Sequence, residues 1–135
     1  MPGKQVKIVR IVSATEAAWA AGIMDGEGHI GWHFQKPNPK RREINGRYRL
    51  TLAVTGTLVS IPERMYHLFG GQIQYRHTTH GTPMAVWSVT QDPAVRALSF
   101  MLPYLVAKRE LAEELMERRR TQVATRVHWR HRNAG

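Results

Sequence analysis

The segment from Ser13 to Gly28 constrains what this chain can fold into more than any other part of the sequence. Its first four residues, Ser-Ala-Thr-Glu, have the capping-box pattern that marks the start of a helix. At 100° per residue, the predicted helix has a bulky face with Trp19 and Ile23, and an opposite face of small side chains. The small face comprises Ala14, Ala17, Ala18, Ala21 and, at its margin, Gly22.

This helix carries almost no charge, since none of the residues between Glu16 and Asp25 is ionisable. An ordinary surface helix has one apolar face and one charged face. We therefore expect this helix to be buried on both sides, with its bulky face in the chain's own core and its small face against a closely approaching backbone. That backbone belongs either to the sheet of the same chain or to a second copy of the helix.

Two carboxylates, Asp25 and Glu27, follow at the end of the helix and are flanked by Gly26 and Gly28. They lie at the negative end of the helix dipole, where an anion is disfavoured by about 0.3–1 kcal/mol. Each carboxylate therefore needs a cation, a hydrogen-bond donor or open water.

The chain of 135 residues is strongly basic, with 20 Lys and Arg against 10 Asp and Glu and a net charge of +10. This balance indicates nucleic acid as a partner rather than a membrane, because no basic amphipathic helix dominates. The alternative is a basic surface that is merely solvated. The chain has no cysteine, no signal-peptide pattern and no apolar run of about 18 residues. We therefore expect a single domain of intracellular location, in a compartment that the sequence does not name.

The rest of the chain alternates between strand and helix patterns. Strands are predicted over His29–Lys36, Arg47–Thr55, Gln72–His77 and Met84–Thr90, and further helices begin at Ser60, at Asp92 and after Pro103. The order predicts an α+β fold, an αββαββα unit whose four-stranded antiparallel sheet has helices on one face and polar side chains on the other. We expect an N-terminal arm over residues 1–12, the domain over 13–120 and a basic tail over 121–135.

The outward face of the predicted sheet is polar and basic. Side chains of this kind suit a β-ribbon in the DNA major groove, where Arg pairs with guanine edges and Gln with adenine edges. The alternative is a solvated strand face. The candidate DNA-binding residues are His29, His33, Gln35, Arg47, Arg49, Thr51, Gln72, Gln74, Arg76 and Ser88.

Histidine spacing predicts no structural zinc site. The pairs formed by His77 with His80 and by His128 with His131 have no further ligand at finger spacing. His29 and His33 are four residues apart on a predicted strand, and we expect them to be too far apart to share a metal.

The nonapeptide from Ala20 to Gly28 resembles the signature of the LAGLIDADG homing endonucleases, with Asp25 and Glu27 at its two acidic positions. The stretch from Leu102 to Leu111 is similar to a downstream segment of the same family. The predicted element order is also that of the family's half-fold, so the resemblance covers roughly residues 13–117. It implies a sheet that forms a DNA-binding saddle.

The resemblance implies metal-assisted hydrolysis of phosphodiester bonds in double-stranded DNA, at a long, pseudo-palindromic site. It makes Glu27 the catalytic metal ligand, with the Gly26 carbonyl as a second ligand, for Mg²⁺ or Mn²⁺. Lys108 falls where the family keeps a basic residue that polarises water or stabilises developing charge. A single signature implies a homodimer with an interface formed by Ala17, Ala18, Ala21, Gly22 and Asp25.

One position departs from the family pattern. Gly56 stands where the family often has a polar residue that positions water in the active site. This departure keeps two alternatives open, a cleavage-deficient relative that binds intron RNA as a maturase and a DNA-binding regulator. Asp25 has two open roles, a structural one that closes the turn or the interface and a direct catalytic one.

Overall fold

The computed structural model describes residues 11–133, with side chains as far as residue 125. Four helices and four strands are present in the predicted order. They are α1 (Ala14–Glu27), β1 (Gly28–Gln35), β2 (Arg47–Gly56), α2 (Ser60–Phe69), β3 (Gln72–His77), β4 (Pro83–Thr90), α3 (Gln91–Met101) and α4 (Arg109–Asn133). Short 3-10 turns lie at Pro39–Arg41 and Leu102–Tyr104. The predicted α+β class is confirmed, whereas residues 1–10 of the predicted N-terminal arm lie outside the described residues.

The four strands form one antiparallel sheet in the order β1-β2-β4-β3. The hairpins β1–β2 and β3–β4 are joined by the pairing of β2 with β4, so β1 and β3 are the edge strands. Alternate residues of each strand face the helices, as the period-two pattern predicts. The buried side chains of this face include Ile30, Leu50, Leu52, Val54, Trp87 and Val89.

Helix α1 packs against the sheet with a stripe of alanines. Ala17, Ala20, Ala21 and Met24 are buried, and they recur at the spacing of one helix face. Ala20, Ala21 and Met24 belong to the same core cluster as the buried side chains of the sheet and of α3. Ala17 and Ala21, two of the residues predicted for a dimer interface, are buried within the chain itself.

The exposed face of α1 is also different from the expectation. Trp19 is 37% exposed and does not belong to the core, although the helical wheel placed it on the core side. Ala18, Gly22 and Gly26 are exposed and follow one another at intervals of four residues, so they form the small, open stripe of this helix. The predicted orientation of α1 was wrong at Trp19 because it assumed that the largest side chain of the helix is the most buried one.

The capping box predicted at the start of α1 forms, whereas α2 begins without a side-chain cap. The Ser13 hydroxyl accepts a hydrogen bond from the Glu16 amide, and the Glu16 carboxylate accepts one from the Ser13 amide. At α2 the N-cap is Val59, without a side-chain cap. Glu63 instead accepts a hydrogen bond from the Tyr75 hydroxyl at 2.9 Å, and this bond raises the pKa of Tyr75.

Helix α4 is anchored by a buried arginine. Arg119 is 7% exposed, and its guanidinium donates to Asp92 at 3.0 Å and to Gln122 at 2.6 Å. Gln122 donates in turn to the Tyr48 carbonyl at 3.0 Å. Because α4 continues to Asn133, the basic segment that begins at residue 121 starts inside this helix and not after it.

The packing of the sheet core predicts that two leucines six residues apart contribute very differently to the free energy of unfolding. Leu52 is fully buried and Leu58 is 69% exposed. We expect Leu52→Ala to lower the free energy of unfolding by roughly 2–5 kcal/mol, because it leaves a cavity in the core. Leu58→Ala should change it by less than about 0.5 kcal/mol. Urea denaturation at equal protein concentrations measures both, and equal losses would contradict the packing described here.

Candidate active site and nucleic-acid interface

The two acidic residues lie where α1 runs directly into β1. Gly28 is the C-cap residue, and its amide donates to the carbonyls of Ile23 and Met24. A Cβ on Gly28 would lie 2.6 Å from the Met24 side chain and 2.7 Å from its Cα, so only glycine allows this close passage. The last turn of α1, which holds Asp25, Gly26 and Glu27, is therefore fixed next to the start of the sheet.

Asp25 connects this helix end to the segment between α3 and α4. Its carboxylate accepts two backbone hydrogen bonds, from the Val106 amide at 2.9 Å and from the Lys108 amide at 3.0 Å. Two donors of this kind hold a carboxylate in one orientation. The geometry supports the structural role for Asp25, and it also places Lys108.

The Lys108 side chain makes a second connection between the same two segments, from the segment between α3 and α4 back to the end of α1. Its ammonium donates to the Met24 carbonyl and to the Gly28 carbonyl, each at 2.5 Å. These acceptors belong to the C-terminal end of α1, where the helix dipole favours a cation. Lys108 is the cation that the acidic helix end requires. An ammonium group has three donors, so one remains for water or another oxygen.

Glu27 and Gly26 are both exposed at this helix end. A Cβ built on Gly26 meets nothing within 4 Å, so its surface is open. The structure brings Glu27 and Lys108 to the same place, since the Lys108 ammonium bonds the carbonyl of the residue that follows Glu27. Among residues 11–125, no group of three or more His, Asp or Glu side chains is arranged to hold a metal ion.

Gly56 lies at the same end of the sheet. Gly28 pairs with Val54, two residues before Gly56 at the end of β2. A Cβ on Gly56 would have only ordinary contacts, at 3.9 Å from Leu58 and Pro62. The glycine is therefore not required by packing, and the position lacks a polar group although one would fit.

The ten candidate DNA-binding residues lie on one face of the sheet. The register pairs His33 with Arg49 and Gln35 with Arg47 across β1 and β2, and Gln72 with Ser88 across β3 and β4. Each of the ten is exposed or half-buried. The outward positions of the four strands contain no acidic residue, so this surface is suited to a polyanion.

Two side chains of this face have distinctive hydrogen bonding. Arg76 donates to the Gln74 side chain at 2.8 Å, which fixes the orientation of that amide. The Nε atom of Arg49 is buried and, among the described residues, has no hydrogen-bond partner. An unsatisfied donor of this kind costs free energy until an acceptor approaches.

His29 and His33 are much closer together than the sequence indicated. Their Nε2 atoms are 2.8 Å apart, so the expectation that they are too distant to share a metal was wrong. The two rings converge over Gly31, which lies between them on β1 and has no side chain. The small residue between two histidines on one strand face was the signal in the sequence.

No protein-family model matches the sequence, and no curated protein sequence matches it either. The structure, however, is similar to solved structures of homing endonucleases. The chain is 23% identical to the homing endonuclease I-CvuI in complex with its target, with a TM-score of 0.68 over 84% of this chain and 71% of I-CvuI. It is 16% identical to the LAGLIDADG homing endonuclease I-SmaMI bound to cleaved DNA, with a TM-score of 0.60 over 82% of this chain and 37% of I-SmaMI.

A third structure of the same kind, the LAGLIDADG homing endonuclease I-LtrWI bound to target DNA, is 14% identical with a TM-score of 0.56. The match covers 91% of this chain and 40% of I-LtrWI. The chain therefore has the fold of the LAGLIDADG homing endonucleases, as the resemblance of its signature segment implies. None of the helices within residues 11–133 is long and apolar enough to cross a lipid bilayer.

The bonds of Lys108 predict a measurable contribution to stability. We expect Lys108→Met to lower the free energy of unfolding by roughly 1.5–3 kcal/mol, because two carbonyls at the end of α1 lose a charged donor. Lys40→Met, at an exposed position in the first 3-10 turn, is the matched control and should change it by less than about 0.5 kcal/mol. Chemical denaturation measures both. A Lys108→Met protein as stable as the wild type would show that these bonds contribute nothing.

Proposed function

We propose that the chain is a site-specific endonuclease that cuts double-stranded DNA as a homodimer, at a long and nearly palindromic target, with Mg²⁺ or Mn²⁺ as its metal. The observation that carries the proposal is the end of α1, where the exposed residues Gly26 and Glu27 lie between Met24 and Gly28, whose carbonyls accept hydrogen bonds from the Lys108 ammonium. The similarity to endonucleases in complex with DNA supports the same function.

The donor set at the end of α1 fits a hard divalent cation. The Glu27 carboxylate and the Gly26 carbonyl are oxygen ligands on exposed residues. Two protein ligands suit Mg²⁺, which keeps several waters and binds phosphate oxygens through its remaining positions. When bound, such an ion would stabilise charge on the attacking and leaving oxygens of the phosphodiester.

The protein's own part in the reaction is positioning. Asp25 holds the backbone at Lys108, and the carbonyls of Met24 and Gly28 hold the ammonium in place. The third N–H of the ammonium is available to orient the attacking water or to bond a phosphate oxygen. A fixed cation of this kind stabilises charge that develops in the transition state without reorganising at the moment of reaction.

The homodimer is supported by the open face of α1. A Cβ built on Gly22 or Gly26 meets nothing within 4 Å, and Ala18 lies four residues earlier on the same stripe. A stripe of small residues lets a second helix backbone approach closely. The pairing of two such helices would bring two Glu27 residues together, one for each DNA strand. The chain also corresponds to only 37% of I-SmaMI and 40% of I-LtrWI, so two copies approximate the length of one such protein.

The outward sheet face supplies the DNA-binding surface of the proposal. Its basic and amide side chains, among them Arg47, Arg49, Arg76 and Gln74, have the donors that base edges in the major groove accept. The net charge of +10 adds a salt-dependent attraction to phosphates.

Cleavage of DNA tests the catalytic role of Glu27. Duplexes bound by the protein are selected from a randomised pool, and their cleavage is measured with Mg²⁺ and with Mn²⁺. We expect Glu27→Gln to slow cleavage by about a hundredfold or more while leaving DNA affinity within about threefold, because it removes the anionic ligand of an ion that contributes several kcal/mol. Glu117→Gln, an exposed glutamate on α4, is the matched control.

Three results would contradict the proposal. Cleavage by Glu27→Gln at the wild-type rate would exclude the metal-ligand mechanism. A wild-type protein that binds the selected duplex and never cuts it would leave a DNA-binding protein without chemistry. Specific binding of intron RNA with rescue of splicing, unaffected by Glu27→Gln, would favour a maturase.

The dimer has its own test at Gly22. We expect Gly22→Leu to convert the dimer into a monomer, because a large side chain prevents the close approach of two helices. Leucine favours helix more than glycine does, so loss of the dimer would not reflect a weaker helix. Ala124→Leu, at an exposed position of α4, is the control. Sedimentation velocity measures both variants, and a monomeric wild type would remove the homodimer from the proposal.

A further inference from the structure

The outer face of β1 holds a pair of imidazoles that the proposed cleavage chemistry does not use. The Nε2 atoms of His29 and His33 are 2.8 Å apart, and the ring centroids are 5.0 Å apart with an angle of 27° between the ring planes. A centroid separation so much larger than the nitrogen separation means that the rings meet edge to edge. The two nitrogens therefore point towards each other.

Gly31 makes this approach possible. A Cβ on Gly31 would lie 2.4 Å from Nε2 of His33 and 2.6 Å from Nε2 of His29. Any other residue would therefore push the two rings apart. Gly31 is buried although it lies on the outward face, because the two imidazoles cover it.

Two imidazole nitrogens in this position can share either a proton or a metal ion. In the hydrogen-bonded form, one Nε2 donates its proton and the other accepts it. At the metal–nitrogen distance of about 2.0–2.1 Å, nitrogens 2.8 Å apart subtend an angle of roughly 90° at a metal, and a tetrahedral ion would need them about 3.4 Å apart. Because the two nitrogens point towards each other, each ring must turn by roughly 45° away from the line between them to bind an ion in the 90° geometry, and by roughly 35° to bind a tetrahedral ion.

We propose that His29 and His33 form a two-histidine site for a transition-metal ion with affinity for imidazole, such as Ni²⁺, Cu²⁺ or Zn²⁺. The angle of roughly 90° favours a square-planar or octahedral ion, and imidazole suits Ni²⁺, Cu²⁺ and Zn²⁺ alike. Each ring binds the ion through Nε2 and carries its proton on Nδ1. Water fills the remaining positions, since the described residues provide no third His, Asp or Glu ligand.

The neighbours of the pair set limits on this site. Within residues 11–133, β1 is an edge strand and pairs with β2 alone, whose Thr51 and Ala53 pair with Gly31 and His29 and are uncharged. Arg49 pairs with His33, and its guanidinium opposes a second positive charge nearby. We therefore expect Arg49→Gln to bind the metal more tightly than the wild type does.

Nickel titration of the untagged full chain tests the proposal. NiCl2 is added to the protein in excess Mg²⁺, and binding is followed by calorimetry. We expect one Ni²⁺ per chain, not displaced by Mg²⁺, because Mg²⁺ prefers oxygen ligands. His29→Gln and His33→Gln should each weaken binding by tenfold or more. Gly31→Ala keeps both histidines but separates the rings, and we expect a loss of about 10–100-fold.

Two controls address the other histidines. His80→Gln, in the β3–β4 connection, and the double variant His128→Gln/His131→Gln should bind Ni²⁺ as the wild type does. Wild-type affinity in Gly31→Ala or in His29→Gln would overturn the proposal, and so would loss of binding in the His128/His131 variant alone. Circular dichroism establishes that each variant is folded. The titration contains no DNA, so its failure leaves the proposed nuclease function untouched.

Discussion

The contact between the Lys108 ammonium and the last carbonyls of α1 is the interaction on which the candidate site depends. Two carboxylates at the negative end of a helix dipole are unfavourable unless a cation, a hydrogen-bond donor or water offsets their charge. The cation comes from a segment 80 residues further along the chain, and Asp25 binds the backbone of that same segment. The helix end, the start of β1 and the α3–α4 connection are thereby held together. A residue that serves catalysis in the proposed function is thus also one that holds the fold together.

The order of helices and strands was predictable from the sequence, because strand alternation and the Gly and Pro breakers are local signals. The orientation of α1 about its own axis, which decides the face that is buried, was not predictable. Alanine is small enough to be buried or exposed at little cost, so a helix rich in alanine has no strong preference for either face. The stripe of Ala17, Ala20 and Ala21 is buried because the sheet and α3 pack against α1, and only the tertiary structure reveals that packing.

The candidate site likewise has one part that was predictable from the sequence and another part that was not. Asp25, Gly26 and Glu27 are neighbours in the sequence, so their common location followed from a single helix end. The hydrogen-bond partners of Lys108 could not be predicted in this way, because they depend on the packing of segments that are distant in the sequence. His29 and His33 were misjudged because strand spacing places their Cα atoms about 13 Å apart. That reasoning ignored the length of two imidazoles that lean towards each other over a residue without a side chain.

Three glycines within six residues are therefore required, or tolerated, for three different physical reasons. Gly26 leaves an open surface at the end of α1, Gly28 allows the strand to pass against Met24, and Gly31 admits two histidine rings. Only Gly28 lies in the sequence between Glu27, which carries the carboxylate, and His29, the first histidine of the pair. Because carboxylate oxygens select Mg²⁺ and imidazole nitrogens select later transition metals, the two sets of ligands distinguish ions by chemistry rather than by distance. Neighbouring sites of this kind can be occupied independently, and a divalent cation at one of them need not displace an ion from the other.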